Sequence, residues 1–260
     1  MTAPALPLSG KTVLVPRGKA QAKSFSDLIE GYGGIPIEIP LLAFKPVEAT
    51  DELQVILNQL HTYDWLILTS NVAVETFFSF INLAEEKKLP KIAVIGKRTE
   101  NCIIKRGLNV EFTPKEFVAE GFVEEFLPHV KQGMKVLIPK GNLARDYICT
   151  SLMAAGAVVD EGVIYQTYFP EESKQLLKEK LATKSIDILT FTSPSTVDHL
   201  MEVVNGNKLQ PLLKDCIIGC IGPITVERAK HYNLRVHSSP EVYTVDHMLK
   251  TIIDYLQNRY

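Results

Sequence analysis

The chain has 260 residues, enough for one large domain or two domains of ordinary size, and we favour two. Hydrophobic residues make up 46% of it and charged residues 22%, so it can bury a core and lacks the composition of a disordered protein. The 28 basic and 30 acidic residues are mixed along the whole length, which argues against a basic surface for nucleic acid.

The sequence carries no signal for a membrane, a metal or secretion. No apolar stretch is long enough to span a bilayer, and residues 1–10 lack the basic cluster and apolar run of a signal peptide. The four cysteines form no CxxC pair and have no histidine at ligand spacing, which argues against a zinc site and a disulfide framework. We therefore expect a reduced cytoplasmic protein.

In chain order, the first feature is an internal repeat. The segment GKTVLVPRG at Gly10 to Gly18 resembles GMKVLIPKG at Gly133 to Gly141, which lies 133 − 10 = 123 residues later. The segment DWLILTS at Asp64 to Ser70 resembles DILTFTS at Asp187 to Ser193, again 187 − 64 = 123 residues later. Each segment is an aliphatic run that ends in a polar turn, as expected of a buried strand.

A third pair of segments completes the repeat. IAVIGKRT at Ile92 to Thr99 resembles IGCIGPIT at Ile218 to Thr225, with Gly96 and Gly222 lying 222 − 96 = 126 residues apart. Amphipathic helical patterns follow the strands, as at Val72 to Ile81. Alternating strands and helices predict an open doubly wound α/β architecture with parallel sheets. The repeat leaves open whether two domains follow one another or exchange units.

Two strand-like stretches with prolines at their ends, Ile35 to Pro46 and Val158 to Pro170, lie between the repeated units. We interpret them as paired connectors between two lobes. Tyr165 lies in the second stretch and is the one proton donor that we single out, although packing is the simpler role for a strand tyrosine. The histidines show no triad order with Ser or Cys, and GxSxG is absent.

Six turns lead from strands into helices, and all are candidates for one site. Small residues at a helix start leave backbone N–H groups open, and the helix dipole favours an anion there. Capping is the simpler interpretation of any single turn, but six together favour a carboxylate or phosphate ligand. The absence of GxxxxGK[ST] and GxGxxG argues against a nucleotide. Arg17 and Arg145 can equally face a ligand or solvent, and we interpret Arg98 as a surface residue.

These turns resemble those of the uroporphyrinogen-III synthase family. The matching segments cover the chain nearly end to end and are VPRG at Val15 to Gly18, the pair Thr69 and Ser70, IGKRT at Ile95 to Thr99, PKGNLAR at Pro139 to Arg145, YQT at Tyr165 to Thr167, FTSPSTV at Phe191 to Val197 and IGPIT at Ile221 to Thr225. Each motif alone is weak, whereas their order and spacing together are specific.

The resemblance implies two flavodoxin-like doubly wound domains joined by a two-stranded connector, with a deep cleft between them. The first α/β domain would comprise residues 1–36 and 171–260, the connector strands residues 37–45 and 162–170, and the second α/β domain residues 46–161. The protein would be a monomer that acts on a small molecule, without nucleic-acid or membrane partners.

The resemblance also implies the chemistry. The substrate would be hydroxymethylbilane, a linear tetrapyrrole with many carboxylates, which is closed to uroporphyrinogen III with loss of water and inversion of ring D. Neither a cofactor nor a metal would be needed. Tyr165 would be the acid that assists departure of the substrate's hydroxyl, with the substrate's own carboxylates as the alternative acid.

The turn residues that match the family's motifs would bind the substrate. They are Arg17, Ser70, Asn71, Gly96, Lys97, Thr99, Gly141, Asn142, Arg145, Ser193, Pro194, Ser195, Gly222 and Thr225. One departure concerns the Thr-Ser turn, since many relatives carry asparagine two places after the serine, whereas here Asn71 follows Ser70 directly.

Two other functions remain open. A two-lobed binding or sensor protein would close on an anionic small molecule without catalysis, but its periplasmic members would carry a signal peptide. A nucleotide-dependent transferase on a Rossmann-like fold would need a phosphate-binding loop, which the sequence lacks.

Overall fold

Helices follow most of the strands along the chain. The computed structural model describes residues 6–83 and 88–258, so the parts of the predicted domains at 1–5, 84–87 and 259–260 lie outside the described residues. The strands are β1 Thr12–Val15, β2 Ile35–Glu38, β3 Ala43–Pro46, β4 Trp65–Leu68, β5 Lys91–Val94, β6 Lys135–Gly141, β7 Val158–Tyr168, β8 Ile188–Phe191 and β9 Ile217–Cys220. The α-helices are α1 Lys19–Gly31, α2 Asp51–Asn58, α3 Asn71–Phe80, α4 Lys97–Ile104, α5 Ala119–Phe126, α6 Tyr147–Ala154, α7 Glu171–Ala182, α8 Pro194–Gly206, α9 Pro223–His231 and α10 Val245–Gln257. None of the helices in the described ranges combines the length and apolar character that a membrane span requires.

The strands form two sheets, with the orders β2-β1-β8-β9 and β3-β7-β6-β4-β5. The pairs β1-β2, β1-β8, β8-β9, β4-β5, β4-β6 and β6-β7 are all parallel, which requires crossover connections. The chain divides into two compact units, Met1–Ala43 with Tyr168–Tyr260 (unit 1) and Phe44–Thr167 (unit 2). The expectation of an α/β fold built on parallel sheets is therefore confirmed.

In unit 1, helices bury both faces of the sheet. Neighbouring strand residues point to opposite faces, because side chains alternate along a strand. Leu14 of β1 packs in one cluster with Leu177 of α7 and residues of α8. Val13 packs in another cluster with Phe25 of α1 and Ile252 of α10. The aliphatic strands are thus buried on both sides, as the sequence indicates.

Unit 2 repeats this arrangement with its own helices. Leu66 of β4 packs in a cluster with Phe77 of α3 and with residues of α2 and α4. The neighbouring Ile67 packs on the other face in a cluster with residues of α5 and α6. On that face the ring of Trp65 meets Phe126 of α5 edge-on, with the ring centroids 5.0 Å apart.

The pairing registers of the two sheets repeat with the offsets read from the sequence. Pairs in one unit have counterparts 123 residues away in the other, as in Thr12↔Ile35 with Lys135↔Val158 and Val13↔Ile188 with Val136↔Trp65. The fourth strand follows with an offset of 217 − 91 = 126 residues, in Ile188↔Ile217 and Trp65↔Lys91. The prediction that the first repeated segments share one secondary structure is confirmed, because they form β1 and β6.

The two units differ at the strand beside β1 and β6. In unit 1 this strand, β2, ends at Glu38, whereas β7 continues past the counterpart Glu161 to Tyr168. The stretches interpreted as connectors therefore contain β2 and β3 in residues 35–46, and the whole of β7 in residues 158–170. The domain limits given above stay a prediction.

Gly219 in β9 provides a test of the packing in unit 1. A Cβ added there would lie 2.5 Å from Cδ1 and 2.9 Å from Cγ1 of Ile252. We expect Gly219→Ala to lower the free energy of unfolding by about 1–3 kcal/mol, because it overpacks the contact between β9 and α10. Gly206 is the matched control, since a Cβ there meets nothing within 4 Å. Urea unfolding should show a lower midpoint for Gly219→Ala alone, and equal midpoints would contradict the prediction.

Candidate active site

In unit 1, the adjacent strands β1, β8 and β9 end at one edge of the sheet, and a helix begins after each. The predicted residues of this unit lie at that edge and are Arg17, Ser193, Pro194, Ser195, Gly222 and Thr225. At the start of α8, the Ser193 N–H donates to the hydroxyl of Thr196 at 3.3 Å. At the start of α9, Gly222 provides no capping side chain, and Thr225 is buried beneath the turn.

In unit 2, the adjacent strands β6, β4 and β5 end at one edge in the same way. The predicted residues of this unit lie at or just after that edge, or on the neighbouring β7, and are Ser70, Asn71, Gly96, Lys97, Thr99, Gly141, Asn142, Arg145 and Tyr165. Ser70 caps α3, because its Oγ accepts a hydrogen bond from the Ala73 N–H at 3.1 Å. Gly96 begins α4 without a capping side chain. The exposed Lys97 pairs with Glu100 at 2.8 Å, and Thr99 is buried.

The uncapped helix start at Gly96 is the feature best suited to an anion. The start at Gly222 is less so, because Pro223 has no N–H and the Thr225 N–H donates to the Gly222 carbonyl at 3.1 Å. The first N–H groups of a helix have no partner within the helix, so a carboxylate can accept hydrogen bonds from them. Glycine leaves the approach to these N–H groups open. At the start of α3, in contrast, the Ser70 hydroxyl already accepts a hydrogen bond from one N–H group of the helix. Each unit thus contains a glycine helix start that no side chain caps.

Lys140 at the end of β6 is already neutralised inside unit 2. Its Nζ lies 2.6 Å from Asp146 Oδ1 and 2.6 Å from Glu161 Oε2, and its side chain is only 13% exposed. Burial opposes the charged form of Lys140, but hydrogen bonds to both carboxylates outweigh burial and raise its pKa. The cation therefore holds β6 to β7 more than it offers charge to a ligand.

Arg145 is in a different position, because its ion pair is exposed. Its Nη1 lies 2.8 Å from Glu120 Oε1, and both side chains are more than half exposed. The hydrogen bond from Arg145 lowers the pKa of the Glu120 carboxyl. Since an exposed pair contributes little to stability, a ligand carboxylate can replace Glu120 at small cost.

Tyr165 lies against Gly141 and Asn142. A Cβ added to Gly141 would lie 2.4 Å from Cε2 of Tyr165, so the ring rests on the glycine backbone. Phe44 meets the ring edge-on, with the centroids 5.8 Å apart. The Asn142 N–H donates to the Tyr165 carbonyl at 3.1 Å, and Asn142 Oδ1 accepts from the Thr167 N–H at 2.8 Å. The structure thus brings three of the predicted residues into contact, and their roles stay a prediction.

Two aromatic residues that the sequence analysis did not select lie beside the uncapped glycines. A Cβ added to Gly96 would lie 3.7 Å from Cβ of Phe117, and one added to Gly222 would lie 3.2 Å from Cδ1 of Tyr243. Phe117 is 54% exposed and Tyr243 is 61% exposed. Their spacing, 243 − 117 = 126, equals that of the glycines, and each stands three residues after a proline. This repeat of a proline followed three residues later by an aromatic residue can be read from the sequence, but it lies outside the segments compared above.

Three of the four thiols are buried. Cys102, Cys149, Cys216 and Cys220 are free, and burial raises the pKa of Cys216 to about 11 and that of Cys220 to about 12. Buried thiols of this kind are inert as nucleophiles. Among the described residues, no group of three or more His, Cys, Asp and Glu side chains could hold a metal ion.

The cap at Ser70 leads to a prediction about stability. Ser70→Ala removes the acceptor for the Ala73 N–H, so we expect it to lower the free energy of unfolding by about 1 kcal/mol. Ser70→Asp retains a capping oxygen and should keep nearly the stability of the unchanged chain. Thermal unfolding of both variants tests this, and equal melting temperatures for Ser70→Ala and the unchanged chain would show that water replaces the cap without cost.

Comparisons with known proteins agree with the fold. A mutant uroporphyrinogen III synthase from the extremely thermophilic bacterium Thermus thermophilus superposes with a TM-score of 0.64 at 18% identity, over 96% of this chain and 100% of that one. The crystal structure of uroporphyrinogen-III synthetase from Helicobacter pylori 26695 gives a TM-score of 0.62 at 16% identity, over 94% of this chain and 98% of that one. At such identities the likeness concerns the fold alone.

Sequence comparisons identify the family. A relative from Methanothermobacter thermautotrophicus is 31% identical over 233 residues, which are 87% of this chain and 91% of that protein. The uroporphyrinogen-III synthase of Synechococcus elongatus is 29% identical over 255 residues, 95% of this chain and 96% of that protein. The family model described as uroporphyrinogen-III synthase HemD matches residues 23–250. Since that match spans most of the sequence, the chain belongs to the uroporphyrinogen-III synthase family.

Proposed function

We propose that this chain is a lyase that closes hydroxymethylbilane to uroporphyrinogen III, with loss of water and inversion of ring D, in tetrapyrrole and heme biosynthesis. Membership of the family supports this function. The structural observation that carries it is the row of helix starts at the carboxyl edge of each sheet, since such starts bind carboxylates and this substrate bears many.

We infer that the two compact units correspond to two flavodoxin-like domains joined by a two-stranded connector. The proposed segments are residues 1–36 with 171–260, the connectors 37–45 and 162–170, and residues 46–161. The chain divides into its compact units between Ala43 and Phe44 and between Thr167 and Tyr168. Both divisions fall inside the proposed connectors, which supports this organisation.

Substrate binding in this proposal depends mainly on backbone amides. The helix starts at Ser70 and Gly96 offer N–H groups to the substrate's carboxylates, and the exposed Arg145 adds a charge. The starts at Ser193 and Gly222 offer fewer N–H groups, because each is followed by a proline. Ser70→Ala should therefore change KM little, because the amides survive the loss of the hydroxyl. Ser70→Asp should raise KM, because its carboxylate repels the substrate at the same helix start.

Tyr165 is the proposed general acid. Its hydroxyl donates a proton to the departing hydroxyl of the substrate, so that water leaves and an electrophilic azafulvene remains. Ring D attacks this centre through its substituted carbon, and the spiro intermediate then fragments and recloses with the ring inverted. The half-buried ring and its contact with Gly141 hold the hydroxyl in place. The substrate's carboxylates are the alternative acid.

We also propose that the enzyme works as a monomer in the cytoplasm, on a small-molecule substrate and with neither cofactor, nucleic acid nor membrane as a partner. We expect no cofactor, because elimination of water and rearrangement of a ring involve no net oxidation and no group donor. We expect no nucleic-acid partner, because basic and acidic residues are mixed along the chain and its formal net charge is −2.

The direct test of the function is the isomer formed from freshly made hydroxymethylbilane. The purified chain should produce the type III isomer, whereas the substrate alone closes to type I. Chromatography of the oxidised porphyrins separates the two isomers. Binding of substrate without type III product would favour the alternative of a binding or sensor protein.

The same assay tests the role of Tyr165. We expect Tyr165→Phe to lower kcat by about a hundredfold, near the lower end for general acid catalysis, because the hydroxyl leaves readily from a pyrrole-stabilised carbon. Product affinity and melting temperature serve as controls and should stay nearly unchanged. A Phe variant with full turnover would remove Tyr165 from the chemistry, and a large fall in melting temperature would assign it to packing.

We further propose that Phe117 and Tyr243 contact pyrrole rings of the substrate. Each ring is exposed beside an uncapped glycine at a helix start, so a ligand bound at that helix start can reach the ring. Aromatic rings attract one another in offset or edge-to-face contacts. A pyrrole that stacks on either residue would hold its acidic side chain near the neighbouring helix start.

Alanine variants test these two aromatic contacts. Phe117→Ala and Tyr243→Ala should each raise KM about three- to tenfold, the value of one aromatic contact, with little change in kcat. Phe117→Tyr and Tyr243→Phe retain a ring and should retain KM. Val55→Ala is the control for loss of an exposed apolar side chain in a helix, since Val55 is 55% exposed in α2. Unchanged KM values in both alanine variants would exclude the contacts.

A further inference from the structure

We propose that Gly141 and Asn142 are positioning residues for Tyr165, and that they act on the reaction through the tyrosine rather than by contact with substrate. This rests on the function proposed above. The ring packs against Gly141, and Asn142 forms hydrogen bonds with the backbone of Tyr165 and Thr167. All the contacts involved lie within unit 2.

The ring occupies the space that a side chain at position 141 would need. A Cβ added to Gly141 would lie 2.4 Å from Cε2, 2.6 Å from Cζ and 3.0 Å from the hydroxyl oxygen of Tyr165. The backbone itself does not require glycine here, because Gly141 lies in β6 and has no positive φ. The contact with the tyrosine ring is therefore the reason for glycine at this position.

The backbone around Tyr165 is held by an irregular pairing. Lys140 pairs with Val163 and Gly141 with Tyr165, so the register between β6 and β7 shifts by one residue. A bulge of this kind redirects side chains. Asn142 closes it, since its N–H binds the carbonyl of Tyr165 at 3.1 Å and its Oδ1 binds the N–H of Thr167 at 2.8 Å.

Neighbouring contacts limit the freedom of the ring further. Phe44 lies edge-on to Tyr165 at 5.8 Å between centroids. The ring also packs at the border of the buried cluster that includes Ile164 and Leu53. A general acid must lie within hydrogen-bond reach of the leaving group, and small displacements reduce catalysis strongly. A ring held on three sides meets this requirement.

The internal repeat shows that this arrangement belongs to one unit only. Gly18 is the counterpart of Gly141, and Leu42 that of Tyr165, by 141 − 18 = 165 − 42 = 123 residues. In unit 1 a Cβ on Gly18 would meet nothing nearer than the Leu42 carbonyl oxygen at 4.0 Å. The same glycine thus supports an aromatic ring in unit 2 and none in unit 1, although the strands before it pair alike.

A double-mutant cycle tests whether Gly141 acts through Tyr165. Gly141→Ala should displace the ring and lower kcat about ten- to a hundredfold when Tyr165 is present. In the Tyr165→Phe background the same change should lower kcat less than about twofold, because the hydroxyl that it misplaces is already absent. A purely structural role would lower kcat equally in both backgrounds, and that result would overturn the proposal.

Gly18→Ala is the matched control for the cycle. It adds the same methyl group at the counterpart position without reaching an aromatic ring. Tyr165→Phe should therefore reduce kcat by the same factor in the Gly18→Ala background as in the unchanged chain. Loss of that factor would show that glycine-to-alanine changes act through general stability, against the proposal.

Asn142 is tested by conservative rescue. Asn142→Ala removes the acceptor for the Thr167 N–H and should lower kcat about tenfold with little change in KM, whereas Asn142→Asp keeps an acceptor oxygen and should restore most of kcat. A rise in KM in both variants, with kcat preserved, would assign Asn142 to substrate binding and contradict a positioning role.

A readout without substrate separates this inference from the proposed function. In protein labelled with ¹³C at Cζ of tyrosine, the Tyr165 resonance, identified by its loss in Tyr165→Phe, should shift in Gly141→Ala and stay in place in Gly18→Ala. An unmoved resonance in Gly141→Ala would overturn the positioning role. A shift in a chain that forms no type III isomer would leave the ring contact standing and refute the function instead.

Discussion

Parallel strand pairing is the constraint on which the rest of the structure depends. Parallel neighbours cannot be joined by tight turns, so within either sheet the chain passes from one strand to the next through a helix, whereas β2 continues without a helix into β3 of the other sheet. Those helices cover both faces of the sheet, which requires strands such as Trp65–Leu68 and Ile188–Phe191 to be buried throughout. The same geometry gathers the carboxyl ends of the strands, and with them the helix starts, at one edge of each sheet. The candidate residues are therefore a consequence of how the backbone pairs.

A repeated aspartate fixes the opposite edge of each sheet. Asp187 Oδ2 accepts hydrogen bonds from the N–H and the hydroxyl of Thr12, both at 2.8 Å. In unit 2 its counterpart Asp64 accepts one from the N–H of Lys135 at 2.9 Å. All three bonds join the start of one strand to the aspartate just before its neighbouring strand. The aspartate that opens each repeated segment thus helps to set the register at the edge opposite the polar turns.

Much of this fold could be predicted from the sequence because it depends on local composition. Strands buried on both faces consist of aliphatic residues without alternating polar ones, so β4 and β8 were recognisable. The offset of 123 residues identified them as counterparts in the repeat. The stretch from Val158 to Pro170 was recognisable as strand-like and contains the whole of β7, but its pairing with both β6 and β3 was not. The partners of Lys140 were equally hidden, because Glu161 comes to it only through that pairing.

The candidate site was predictable to a similar degree and for related reasons. Helix starts follow from the strand-turn-helix pattern, so the polar turns could be named before any coordinates. The packing of the Tyr165 ring on Gly141 could not be predicted, because it depends on a bulge that shifts the register between Lys140 and Gly141. Sequence spacing alone pairs Tyr165 with nothing, and its simplest interpretation was packing.

The character of the candidate residues agrees with the demands of the proposed reaction. The linear substrate closes without help to the unrearranged isomer, so the enzyme must decide which carbon of ring D attacks more than it must lower a large barrier. Such control is a matter of proximity and orientation, which rigid groups supply better than strong acids or bases. Backbone amides at helix starts have fixed directions, and the ring of Tyr165 is held by Gly141 and Phe44. Lys140 is tied to carboxylates of its own unit, so its charge is held in a fixed place, whereas that of Arg145 stays exposed.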